Sequence, residues 1–220
     1  MYPHRIRLRG PWECEPMAPA GVEAPPPRRV VMPSRWADAG LTGFVGDACF
    51  VRPFGYPGRA DPGTEHIWLT CDGSTGRFRV ILNQTLLSEE TAPAFAFDVT
   101  PLMTQRNRLE IHVHGDSDAA GLWGEVALEI RRAAFLADVT VARDGSAFVL
   151  TGRAVGVAPH PLELYTLVDR RHVDYREIMP TPAGQPFRIE LVDLPADARA
   201  IRMELINLST VWYVVEVPIS

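Results

Sequence analysis

The chain has 220 residues, 46% of them apolar and 22% charged, enough to bury the core of one large or two modest globular domains. Its formal charge of −5 argues against nucleic acid or an anionic lipid surface as partner, since both select basic proteins. No run approaches ~18 consecutive apolar residues, so no transmembrane segment is expected.

The opening MYPHRIRLRGPW has no apolar core of a secretory signal, and a cytoplasmic location is expected. All 22 basic side chains are arginine, whose planar forks suit carboxylates and stack on aromatic rings. Three cysteines, Cys14, Cys49 and Cys71, are widely spaced and odd in number. They make neither a disulfide framework nor a CxxC zinc pair, and Cys71, on an apolar strand face, is expected buried and reduced.

Taken in order, Ile6 and Leu8 alternate with Arg5, Arg7 and Arg9 and predict a short strand closed by Gly10-Pro11-Trp12. Residues 16–29 are rich in proline and alanine, with Pro25-Pro26-Pro27, and predict an extended surface loop, since proline resists both helix and central strand. Residues 30–43 read as a strand stub, then a loop or short helix from near Ser34. Strand resumes over 47–54, and 55–63 is a turn-rich connection.

The stretch from 65 to 131 carries five alternating sets. They are Ile67, Leu69, Cys71; Phe78, Val80, Leu82; Phe95, Phe97, Val99; Leu109, Ile111, Val113; and Val126, Leu128, Ile130. Period two predicts strands with one buried face. Turns are expected at Asp72-Gly73 and Gly76, at 88–93 and at 115–121. Thr100 as N-cap and Pro101 at the first helical position predict one or two helical turns ending near Asn107.

Beyond residue 134 the pattern restarts. Seven short strands are predicted at 139–141, 147–155, 162–168, 172–178, 187–192, 201–206 and 211–217. Seven strands at this pitch predict an immunoglobulin-like sandwich, and the lack of a Cys–Trp–Cys pattern favours a fibronectin-III-like variant. The fold class is therefore all-β, with domains at 1–134 and 135–220.

Five short motifs occur in order in the first domain: Phe50-Val51-Arg52-Pro53-Phe54; Ile67-Trp68-Leu69 with Asp72-Gly73; Val80-Ile81-Leu82-Asn83; Phe97-Asp98-Val99-Thr100; and, after Asn107-Arg108-Leu109, Gly121-Leu122-Trp123-Gly124-Glu125-Val126. Their order and spacing over about residues 5–132 resemble the sugar-binding, galactose-binding-like jelly-roll domain at the N-terminus of family 2 glycoside hydrolases. In that family an immunoglobulin-like sandwich follows, and the chemistry sits in a third, (β/α)₈ barrel domain. Such a barrel needs ~250 residues, and the family's Asn-Glu dipeptide is absent here. The resemblance thus implies a scaffold without the carboxylate pair that cleaves a glycosidic bond. The family's hairpin usually carries Asn-Gly. Here Asn83 precedes Gln84, which predicts another turn type.

Two constellations invite a site. His112 and His114 lie on one face of a strand with Glu110, and Asp116 and Asp118 follow in the loop. Histidines at i and i+2 can share a metal that carboxylates complete, and a solvated polar face is the simpler alternative. Among the five tryptophans, Trp36, in a loop beside Arg35 and Asp38, reads as a sugar platform with Asp38 fixing hydroxyls. Trp68, opposite in alternation to Ile67 and Leu69, is the second candidate. Aromatics serve more often as core or interface anchors.

GxSxG, a reactive Cys–His pattern and a phosphate-binding glycine loop are all missing, so no catalytic residue or cofactor is expected. The function expected is that of a non-catalytic accessory or structural subunit binding another protein or larger complex. Carbohydrate binding through the jelly-roll loops is the alternative.

Overall fold

The computed structural model describes residues 3–19, 21–58, 64–145, 147–192, 194–195 and 198–219. Among the described residues nineteen strands run in order: β1 His4–Arg7, β2 Trp12–Met17, β3 Arg28–Val30, β4 Ser34–Arg35, β5 Gly46–Gly55, β6 Glu65–Cys71, β7 Arg77–Leu82, β8 Thr85–Glu90, β9 Phe95–Asp98, β10 Arg106–Gly115, β11 Gly121–Leu122 and β12 Val126–Arg132. Then come β13 Ala134–Asp144, β14 Ala147–Gly156, β15 Leu162–Val168, β16 Arg171–Ile178, β17 Gln185–Leu191, β18 Ala200–Asn207 and β19 Thr210–Pro218.

The chain divides into two units, one of Arg5–Ala60 with Ile67–Glu129, the other of Ile130–Ser220 with Met1–His4 and Asp61–His66. The first is a jelly-roll sandwich. A six-stranded sheet of order β3-β2-β5-β10-β7-β8 and a four-stranded sheet of order β1-β12-β6-β9 turn their apolar faces inward. Phe50, Phe78, Val80, Leu109, Ile111, Ile67, Leu69 and Leu128 fill the space between, with Trp12 and Trp36 fully buried beside them. Arg5 of β1 ties the four-stranded sheet together by pairing with Asp72, Glu125 and Glu129.

The second unit has the fibronectin-III-like arrangement, with three strands β13-β14-β17 in one sheet and four, β16-β15-β18-β19, in the other. Its core holds Leu150, Leu164, Ile189, Met203, Leu205 and Trp212. All seven strands read from the sequence are present.

Three local expectations are corrected. The helix after Thr100 is a single 3₁₀ turn, Thr100–Leu102, with Val99 rather than Thr100 at its N-cap. The Thr100 hydroxyl is engaged elsewhere, accepting from Ile67 N at 2.8 Å and donating to Asp98 Oδ1 at 2.6 Å. Residues 36–40 form turns, the loop of the two alternatives expected there. Two strands run into segments expected as loop and turn: β2 ends at Met17, inside the loop expected at 16–29, and β8 ends at Glu90, inside the turn expected at 88–93. β2 alternates strictly between buried and exposed residues, and Pro16 falls near its end, where a missing N–H costs little of the ladder.

Finally, the Asn83-Gln84 hairpin is of the primed kind, with φ of 50° and 70° at its two central residues. Asn83 is held there by its side chain: Nδ2 donates to Leu102 O at 2.8 Å and Asn107 Oδ1 at 2.9 Å, while Oδ1 accepts from Arg108 N at 2.9 Å. Those bonds offset the conformational cost that glycine would have avoided. Of the turn-rich connection 55–63, residues 59–63 lie outside the described residues.

Candidate functional site

The inward residues of β7 and β10 are mostly apolar (Phe78, Val80, Leu82; Leu109, Ile111, Val113), so period two puts their charged set on the outer face. On β10 that set is Arg108, Glu110, His112 and His114, and register fixes what each meets. His112 stands opposite Cys49 of β5 and Arg79 of β7; His114 stands opposite Asp47 and Arg77. Glu15 of β2 lies across from Cys49 on the other side.

A shallow groove of about 250 Å³ crosses this face, bordered by Asp47, Arg77, Arg79, Glu89, His112 and His114. It is small beside the ~300–1,000 Å³ of ordinary ligand pockets, and its acidic and basic groups are interleaved. His114 Nδ1 lies 3.0 Å from Asp47 Oδ1, and Arg108 Nε donates to Glu110 Oε1 at 2.9 Å. Cys49 is 6% exposed. Burial first, then the charges of Glu110 and Glu15, pushes its thiol up to about 11, with Arg108 pulling the other way.

The four residues expected as a ligand set, His112, His114, Asp116 and Asp118, do not come together. Each histidine meets a different cross-strand partner. Asp118 Oδ1 accepts from Gly43 N at 2.7 Å, and Asp116 is exposed in the following loop. Among the described residues, the metal-capable groups that converge are Cys49, Glu110 and His112. Cys49 was missed because it looked isolated in sequence; only the pairing of β5 with β10 brings it to His112.

Trp36 is corrected as well. It is 0% exposed, its ring 5.4 Å from that of Phe44, and its edge abuts Gly115. A buried ring has no face to offer a sugar. Asp38 is exposed but its Oδ2 accepts from Arg35 N at 3.2 Å, closing the turn. Trp68 is half-buried, opposite Asp98.

The most exposed tryptophan at the jelly-roll loops is Trp123, at 39%. Its Nε1 donates to Thr75 Oγ1 at 2.9 Å, and the Arg35 guanidinium lies 5.3 Å from its ring. Its place in the Gly121–Val126 motif marked it in the sequence, but not its exposure, which follows from the fold of the loop end.

On the second unit, the outer face of the four-stranded sheet is partly apolar. Tyr165 sits opposite Tyr175 and Glu204, which in turn faces Val214. The two tyrosine rings are 5.1 Å apart, and His172 packs 5.3 Å from Tyr165. Tyr175 is 45% exposed. No helix among the described residues is long and apolar enough to cross a membrane.

No protein-family model and no curated protein matches the sequence. Solved structures do match. A β-glucuronidase of Bifidobacterium dentium, solved with coumarin-3-O-glucuronide, aligns at TM-score 0.72 and 19% identity, over 100% of this chain and 49% of that one. A β-glucuronidase of Ruminococcus gnavus aligns at 0.70 and 16%, over 100% and 45%. A glycosyl hydrolase family 2 member from Bacteroides cellulosilyticus aligns at 0.74 and 14%, over 98% and 36%. The chain therefore spans less than half the length of each. At these identities the likeness is one of fold, and it agrees with the resemblance read from the motifs: a jelly roll and an immunoglobulin-like sandwich of the glycoside hydrolase family 2 kind.

Proposed function

We propose that the chain is a non-catalytic interaction module, with domains at 1–134 and 135–220. In this reading it is a structural or stabilising subunit of a larger protein assembly in the cytoplasm. The observation that carries it is the outer sheet face of the second unit. There Tyr165, Tyr175, Val214 and Ile206 lie among Glu204, Arg202 and Glu163, the mix of aromatic, aliphatic and arginine side chains that protein interfaces favour. Native co-purification of a stoichiometric protein partner tests it. A partner retained by the unmodified chain and lost in the Tyr165→Ala/Tyr175→Ala double variant supports the reading. A chain that stays unaccompanied, or hydrolysis of aryl glycosides by the pure protein, counts against it.

A second reading, carbohydrate binding at the jelly-roll loops, is favoured by Trp123. It is an exposed aromatic at the loop end with Arg35 and Asp72 nearby, and Arg35 would swing aside to free the ring. Calorimetric titration with mono- and oligosaccharides showing millimolar or tighter binding, lost in Trp123→Ala, would establish it. Absence of heat with any sugar would remove it.

A further inference from the structure

We infer that Cys49, Glu110 and His112 form a zinc-type divalent-cation site on the outer face of the six-stranded sheet. Cys49 Sγ lies 3.7 Å from His112 Nε2, and His112 Nε2 lies 4.0 Å from Glu110 Oε2. All three ligand atoms fall within 4.8 Å of one another. A tetrahedral zinc with bonds of about 2.3 Å to sulfur and about 2.0–2.1 Å to nitrogen and oxygen sets S and N about 3.5 Å apart, and N and O about 3.3 Å apart. The three atoms thus already stand near the corners of one face of such a tetrahedron, and small side-chain rotations close the remainder.

The scaffold is rigid where it needs to be. Glu110 and His112 are two residues apart on β10, and Cys49 is the direct cross-strand partner of His112 on β5. Backbone ladder bonds therefore fix the spacing, not loop conformation. Arg108 holds Glu110 through Oε1, leaving Oε2 turned toward His112 and orienting the ligand as outer-shell partners do. A thiolate and a carboxylate balance a dication even beside Arg79 and Arg108. His112 borders the open groove and gives an ion a way in, and three protein ligands leave a fourth position for water. The soft thiolate with imidazole selects zinc or cobalt over magnesium and calcium. The thiol is protonated at neutral pH without metal, so binding forms the Cys49 Sγ–metal bond, breaks S–H and releases that proton to solvent.

The test is titration of the metal-free full chain with cobalt(II), then zinc. Expected are one cobalt per chain with a thiolate-to-cobalt charge-transfer band in the near ultraviolet, bleached by one equivalent of zinc. Zinc should also release about one proton per chain at pH 7 and slow alkylation of Cys49. The band disappears in Cys49→Ser and in His112→Ala, whose partly exposed side chain is less needed for folding. It persists in His114→Ala and Asp47→Ala. Thermal melts of the metal-free variants establish that each is folded, and His112→Ala decides if Cys49→Ser is not. Cobalt bound without the band, binding unchanged in His112→Ala, or no binding at micromolar metal overturns the assignment.

Discussion

Trp123 lies against the backbone of Gly73 so closely that a Cβ added at Gly73 would stand 2.4 Å from its ring. The neighbouring Gly124 is tighter still, since a Cβ there would meet Gly73 N at 1.9 Å, across the hydrogen bond from Gly124 N to Gly73 O of 2.8 Å. The loop end of the jelly roll is therefore a crossing of two glycine backbones with an indole laid over it.

Gly73→Ala is expected to push the indole off Thr75 and Arg35 and to cost about 1–3 kcal/mol. Gly124→Ala is expected to cost more, because the clash is with backbone, which cannot swing away as a side chain can. Chemical denaturation ranks the two, and a change in tryptophan emission should accompany Gly73→Ala. Equal, negligible losses would show that the crossing is looser than described.

Gln84 sits at φ 70° in the β7–β8 hairpin, a conformation that costs a non-glycine residue roughly 1–2 kcal/mol. Glycine removes that cost and returns part of it as unfolded-state entropy. Gln84→Gly is expected to stabilise by about 0.5–1 kcal/mol, seen as a higher denaturant midpoint at unchanged slope. Asn83→Gly should instead destabilise, because it deletes three side-chain hydrogen bonds.

Thr166 of β15 is fully buried, and its Oγ1 has no hydrogen-bond partner among the described residues. An orphaned buried hydroxyl costs about 1–3 kcal/mol, and valine has nearly its shape. Thr166→Val is expected to raise stability by about 1 kcal/mol, measured by thermal and denaturant unfolding. A loss of stability would mean that the hydroxyl is satisfied after all.

Burial raises the thiols of Cys14, Cys49 and Cys71 from 9.0 to about 11. Between those values the unfolded chain has shed protons that the folded chain still holds, so stability falls as pH rises through the window. Each thiol contributes up to ~2–3 kcal/mol to that fall. Denaturant midpoints of the metal-free protein should decline from about pH 9 to about pH 11, and the decline should be shallower in Cys71→Ala. A flat profile would contradict the burial of these thiols.

The architecture was legible because a strand with one buried face writes its orientation into alternate residues. Ile67, Leu69, Leu109 and Ile111 showed which face was inside, and seven such segments after residue 134 spelled out the second sandwich. The same rule held in β2, with Trp12 and Cys14 inward and Glu13 and Glu15 outward. It was hidden there by the proline-rich segment that follows. The hairpin turn was not legible, because its geometry is enforced by Asn107 and Arg108, far along the chain from Asn83.

The sites divide in the same way. Alternation alone determined that Glu110, His112 and His114 share the outer face of one strand, since that depends only on residues two apart. Which of them would meet a thiol was decided by the register of β5 against β10, a pairing between segments more than sixty residues apart that no local pattern encodes. The fate of Trp36 was decided in three dimensions too. Its polar neighbours, Arg35 and Asp38, suggested a surface loop, but that loop turns its indole inward against Phe44 and Gly115, because burying a large apolar ring stabilises the fold more than leaving it in water.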